Sequence, residues 1–219
     1  SIPQTAELLK LGEAYTSATQ SPELIERLGI EAENLEEFLM PNTYFFDDQP
    51  KAEELVKRMV EQFEKEYEML SKECPGAHHL DKRYVVTVAS IVERETPAAE
   101  ERPLVAQVIY NRIKAGMPLQ MDSTLQFALN KYGERMLYED TEVESPYNTY
   151  LNRGLPPGPI CSPGVISLRA AMAPANVEYM YFVSNADGKT HTFSKTLDEH
   201  NRAVARFRQE ITPQRRTMQ

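Results

Sequence analysis

The chain has no tryptophan, two cysteines, four histidines and nine glycines in 219 residues. It also has no apolar run near the length of a membrane span. Each scarcity removes a class of answer. Cys74 and Cys161 stand far apart with no CxxC spacing, which excludes a disulfide-dense scaffold; one bridge and two independent thiols both stay open. His78 and His79 share a loop with Pro75 and Gly76, and neither HExxH nor a Cys/His finger spacing occurs, so no metal site and no cofactor is expected. Basic residues are short as well. With 24 Lys and Arg against 33 Asp and Glu, the net charge is -9, which argues against a nucleic-acid backbone or an anionic membrane as main partner. Neutral polymers such as glycans remain open. No basic start followed by an apolar middle is present, so these residues are expected to fold in water, with any membrane anchor of a longer parent outside them.

What is present is mostly helical pattern. Ala6 to Ala14 forms a short amphipathic segment, and Ser21-Pro22-Glu23 starts another, with Ser21 as N-cap and Pro22 in the first turn. Leu55, Met59, Phe63, Tyr67 and Leu70 recur at three and four residues, which predicts a long amphipathic helix over 51–70. Cys74-Pro75-Gly76 breaks it. A helix follows from about Arg83, another from Pro103 to Ala115 stopped by Gly116, and Ser123 to Leu129 adds a turn or two. Residues 140–164 gather five prolines around Tyr147 and Tyr150 and are expected to form an ordered wall, since long loops in compact domains are functional or disordered. Ser167 to Ala173 suggests a short helix. Tyr179 to Val183 and His191 to Ser194 predict a hairpin about Asp187-Gly188, and Thr196 to Glu199 is a capping box for a last helix. The expected class is α+β, predominantly α-helical. The expected division falls between a helical N-terminal segment over 1–80, ending in the long amphipathic helix, and a second domain over 81–219.

The stretch Val85 to Glu95, VVTVASIVERE, carries the chemistry. Val88, Ile91 and Val92 lie seven, four and three residues before Glu95, so on a helix the carboxylate continues the apolar stripe. The residue before Pro97 avoids the α region, which ends the helix near Thr96 and leaves Glu95 at its mouth. Desolvation disfavours the charged carboxylate, so such a glutamate can act as a general acid; a charged rim on a core helix fits the spacing too. Glu93 points away. Downstream, Asn111-Arg112, Gln120-Met121-Asp122-Ser123-Thr124 and Tyr147-Asn148-Thr149-Tyr150 supply amides, hydroxyls and rings of the kind that bind sugars. Taken singly, Gln120 and Asp122 fit a helix cap or a turn, and Tyr147 and Tyr150 the core, better than they fit a sugar site.

Taken in order, these blocks resemble the endolytic murein transglycosylases, the YceG-like proteins. The resemblance rests on Ala89 to Thr96, Tyr110 to Ile113, Leu119 to Thr124, Tyr147 to Tyr150, Gly154 to Ile160 and His191-Thr192-Phe193, spanning about residues 35–210. Leu35 to Phe46 is similar to the family's segment ahead of its catalytic domain. The resemblance places the catalytic acid at Glu95 and implies a lysozyme-like catalytic domain. It implies non-hydrolytic cleavage of the β-1,4 bond between N-acetylmuramic acid and N-acetylglucosamine, with the C6 hydroxyl attacking C1 to leave a 1,6-anhydro end. Gln120, Asp122, Thr124, Tyr147, Asn148, Tyr150 and His191 are its candidate substrate-binding residues; for His191, a hairpin histidine satisfied by backbone is the equal alternative. The implied partners are peptidoglycan glycan strands and, beyond them, peptidoglycan synthases. The implied place is outside the cytoplasm, on a single-pass anchor not contained in these residues. Met121 departs from the small polar residue common at its position. Two other functions stay open: a glycan-binding scaffold without turnover, and a hydrolytic muramidase with Asp122 as its second carboxylate.

Overall fold

A computed structural model of the chain describes residues 12–28, 33–134 and 136–217. Two short helices, α1 (Gly12–Thr19) and α2 (Pro22–Leu28), come first. The Ser21 hydroxyl oxygen accepts the Leu24 N–H at 3.2 Å, so Ser21 caps α2 as expected. Most of the expected Ala6 to Ala14 segment lies outside the described residues. The long helix α3 runs Ala52–Glu73 and buries Leu55, Val56, Val60, Phe63 and Leu70 on one side. It ends where Pro75 opens a tight 3-10 turn.

Helix α4 (Lys82–Glu95) starts at Asp81, whose carboxylate accepts the Tyr84 N–H at 3.1 Å. Every residue from Val85 to Val92 is buried, so α4 is the central helix rather than a surface one. Each fully buried Val or Ile contributes about 1.5–3 kcal/mol of transfer free energy, which is what drives the segment inward. Thr96 leaves the helix in extended conformation, with φ −141° and ψ 132°, as the residue before Pro97 must. Around α4 pack α5 (Arg102–Lys114), α6 (Asp122–Leu129) and α7 (Val165–Met172), and α7 also rests on α3 and α5. Strands β1 (Tyr181–Ser184) and β2 (His191–Ser194) form an antiparallel hairpin with Tyr181 opposite Ser194 and Ser184 opposite His191. Helix α8 (Leu197–Thr217) begins with the expected box: the Thr196 hydroxyl accepts the Glu199 N–H, and the Glu199 carboxylate accepts the Thr196 N–H. The fold is α+β and mostly helical.

One apolar cluster runs from Tyr15 through α3 and α4 to Met172. The division at residues 80 and 81 therefore marks a change of helix within a shared core. The 140–164 segment is built as a wall. Buried Asn148 donates from its amide to the carbonyls of Thr141 and Val143 at 3.0 and 2.8 Å, and accepts the Tyr150 N–H at 2.9 Å. Farther along, the Ile160 N–H donates to the buried Ser90 hydroxyl of α4 at 3.0 Å. Cys74 and Cys161 are separate thiols; Cys161 donates to the Ser90 carbonyl, and burial pushes its thiol up to about 12. Among the described residues, no helix is long and apolar enough to cross a membrane.

Candidate active site

A cavity of about 450 Å³ opens where the C-terminal end of α4, the segment leading into α6, Tyr150 and the β hairpin meet. Glu95 lies in it with Arg112, Gln120, Asp122, Tyr150, Phe182, His191 and His200. Helix geometry delivers Glu95 here: the stripe that buries Val88, Ile91 and Val92 ends where the packing stops. Burial lifts the Glu95 carboxyl above the ordinary glutamate range. The Ser123 group pulls it back, the Asp122 charge pushes it up, and His191 pulls it down. The Ser123 N–H, in the first turn of α6, donates to Glu95 Oε1 at 3.3 Å. The buried Ser123 hydroxyl lies beside the same carboxyl, but its geometry falls short of a hydrogen bond. Glu95 thus receives one long hydrogen bond from a helix start, and burial outweighs the pull of Ser123 and His191 on its charge.

Glu93 sits in a contrasting environment. Arg102 of α5 donates to both its oxygens at 3.0 Å, and the Gly164 N–H donates to Oε2 at 3.1 Å. Arg102 also donates to the Ser167 hydroxyl, so this ion pair ties α4, α5 and α7 together. Glu93 is a structural neighbour of the site.

Of the seven candidate sugar-binding residues, four line the Glu95 cavity: Gln120, Asp122, Tyr150 and His191. Gln120 adopts a left-handed backbone at φ 52°, rare for a residue with a side chain, while its N–H donates to the Thr149 carbonyl at 3.0 Å. Its side chain is exposed to the cavity. The Tyr150 hydroxyl donates to Asp122 Oδ1 at 2.6 Å, which pins the second carboxylate of the site. Burial and that carboxylate hold the Tyr150 hydroxyl far above its usual titration range. The other three stand elsewhere. Thr124 is fully buried and its hydroxyl bonds the Met121 carbonyl at 2.7 Å and the Thr149 hydroxyl at 2.9 Å. Asn148, also fully buried, spends its amide on the wall. Tyr147 packs on Phe127 with ring centroids 4.7 Å apart and faces a different cavity of about 530 Å³, between residues 34–42 and the 159–162 loop. That cavity lacks Glu95.

Three working residues were absent from the expected set. Arg112 donates to the carbonyls of Met180 and Leu119 at 2.7 and 2.6 Å, clamping the hairpin to the segment that carries Gln120. Ser123 meets Glu95, and Glu101 holds His191. Arg112 stood within a conspicuous motif, but the Met180 carbonyl it holds lies 68 residues on, beyond the reach of local pattern.

The sequence profile of the YceG-like family matches residues 1–206, across all of this geometry. The chain belongs to the YceG-like family. It is 40% identical over 174 residues to the endolytic murein transglycosylase of Bacillus subtilis (strain 168), covering 79% of this chain and 48% of that protein. It is 32% identical over 194 residues to the endolytic murein transglycosylase of Streptococcus pneumoniae (strain ATCC BAA-255 / R6), covering 84% of this chain and 35% of that protein. The crystal structure of a yceG-like protein from Listeria monocytogenes superposes with a TM-score of 0.81 at 32% identity, over 92% of this chain and 72% of that one. The chain thus spans about half the length of the Bacillus relative and about a third of the Streptococcus one. This YceG-like fold shares its helical core with the Listeria protein.

Proposed function

We propose that this chain is the catalytic part of an endolytic peptidoglycan lytic transglycosylase. It cleaves the β-1,4 bond between N-acetylmuramic acid and N-acetylglucosamine in nascent glycan strands and leaves 1,6-anhydro ends, so limiting strand length. The observation that carries this is Glu95: a carboxyl pushed toward its protonated form by burial, at the floor of a cavity whose walls offer an amide, a carboxylate, a phenol and an imidazole. Such a group donates a proton to a leaving glycosidic oxygen. The names of the Bacillus and Streptococcus relatives support the same reaction.

In this mechanism a strand lies across the cavity with Gln120, Asp122, Tyr150 and His191 holding sugar hydroxyls and amides. Glu95 protonates the oxygen leaving C1, and the muramic C6 hydroxyl, part of the substrate itself, closes on C1 as its proton passes to a base of the cavity. No activated water is needed. A hydrolytic muramidase would instead use a second carboxylate. Asp122 is the available one, but its Oδ1 is engaged by Tyr150, which favours a role in binding and in raising Glu95. The domain works outside the cytoplasm, on an anchor supplied by a longer parent chain, near the synthases that make the strands. Weighing the products formed from uncrosslinked glycan strands tests the proposal. Anhydro ends, lighter than hydrolysed ends by one water, support it; reducing ends would make the enzyme a muramidase, and unchanged strands a binding scaffold.

A further inference from the structure

Glu101 is 8% exposed and closes the 3-10 turn Ala99–Glu101, six residues beyond Glu95. Its Oε1 accepts the His191 backbone N–H at 2.8 Å. Its Oε2 lies 2.7 Å from His191 Nδ1 and accepts the Thr96 hydroxyl at 3.2 Å. Glu101 therefore ties the end of the Glu95 helix to the first residue of β2. The His191 ring is also braced edge-on by Phe182, with centroids 5.4 Å apart at 88°. A carboxylate oxygen accepts and does not donate, so Nδ1 carries the ring hydrogen. In its neutral form the ring keeps one lone pair, on Nε2, and His191 lines the Glu95 cavity. Such an oriented lone pair is a proton acceptor.

We propose that Glu101 is a positioning residue that fixes His191 as the Nδ1–H tautomer, and that His191 Nε2 is the base for the attacking sugar hydroxyl while Glu95 serves as the acid. The proposal rests on the transglycosylase function above. The hydroxyl proton passes to Nε2, and the oxygen pair it leaves forms the new bond to C1. The bond from C1 to the leaving oxygen breaks with its electron pair on that oxygen, which takes the Glu95 proton. Imidazolium and carboxylate remain, and transfer of the proton from Nε2 to Glu95, directly or through water, resets both. Two groups then share what one glutamate would otherwise do in turn. A carboxylate behind the ring supplies both orientation and charge complement, as in other carboxylate-supported histidines.

The test combines ring ¹⁵N NMR with kinetics on uncrosslinked glycan strands, using the full chain and its Glu101→Gln and His191→Gln variants. The ring of the unsubstituted protein shows Nδ1–H. In Glu101→Gln the amide offers Nδ1 a donor, so the ring shifts to Nε2–H and kcat falls about 100-fold with KM little changed. His191→Gln loses as much, and the double variant loses no more than either single one. Nε2–H in the unsubstituted protein, or undiminished kcat in either folded variant, overturns the proposal. If Glu101→Gln fails to fold, His191→Gln decides. If the unsubstituted protein yields reducing ends or none, the base assignment falls with the transglycosylase function, while the tautomer still shows whether Glu101 orients His191.

Discussion

Glu93 and Glu95 are two residues apart on one helix, and their surroundings are opposite. On the Glu93 side, a buried guanidinium and a backbone N–H fill the carboxylate's acceptor sites and join three helices. On the Glu95 side, one N–H at 3.3 Å is the hydrogen bond it receives, and a like charge at Asp122 faces it. Residue type alone therefore does not separate a structural carboxylate from a reactive one. The surroundings do: Arg102 and the Gly164 N–H occupy Glu93 in hydrogen bonds, while an apolar stripe opening on a cavity makes the charged form of Glu95 costly.

Disabling each side in turn breaks that contrast most sharply. Glu95→Gln should remove cleavage by about 10³-fold or more, since general-acid catalysis contributes about 10²–10⁴-fold, while strand binding by sedimentation with murein stays intact. Cleavage retained by that variant would remove Glu95 from the chemistry. On the other side, Arg102→Ala removes the guanidinium from Glu93 and Ser167, leaving Glu93 the Gly164 N–H, and should cost about 2–3 kcal/mol of stability in urea unfolding, with activity per folded molecule unchanged. Asn148→Ala should behave like Arg102→Ala rather than like Glu95→Gln. It frees two loop carbonyls and costs about 1–3 kcal/mol, and a specific loss of substrate affinity in folded protein would return Asn148 to the groove.

The pH response sharpens the comparison further. The folded-state value of Glu95 is raised, so its protonated form is the one the fold favours; that contribution is present below the ordinary value near 4.5 and is lost as pH rises through the raised value. Glu95→Gln lacks this loss. Its melting temperature should therefore gain on the unsubstituted protein as pH climbs from acid to neutral, and parallel curves would contradict the raised value. The smallest effect expected is from Asp122→Asn. Removing the like charge lowers the Glu95 value, so the alkaline fall of kcat/KM should move to lower pH; movement to higher pH would show that Asp122 does not face Glu95 as a charge.

Much of this was legible in sequence because periodicity is local. The spacing of Val88, Ile91 and Val92 against Glu95, with Pro97 to end the helix, fixes which carboxyl reaches the cavity, and the boxes at Ser21 and Thr196 fix two helix starts. Pattern could not separate Gln120 and Tyr150, which line the cavity, from Thr124, Asn148 and Tyr147, which hold or back its wall. Those five share polar or aromatic chemistry, and the choice between them is made by which way the 140–164 segment folds over α6. Glu101 carried no signal at all, because its meaning comes from His191, 90 residues away.

The central claim is that burial at the mouth of α4 holds the Glu95 carboxyl toward its protonated form. Titration of its ¹³C carboxyl resonance, assigned by its loss in Glu95→Gln, measures this directly. The midpoint is expected above the ordinary glutamate value of 4.5. A midpoint at or below that value would contradict it.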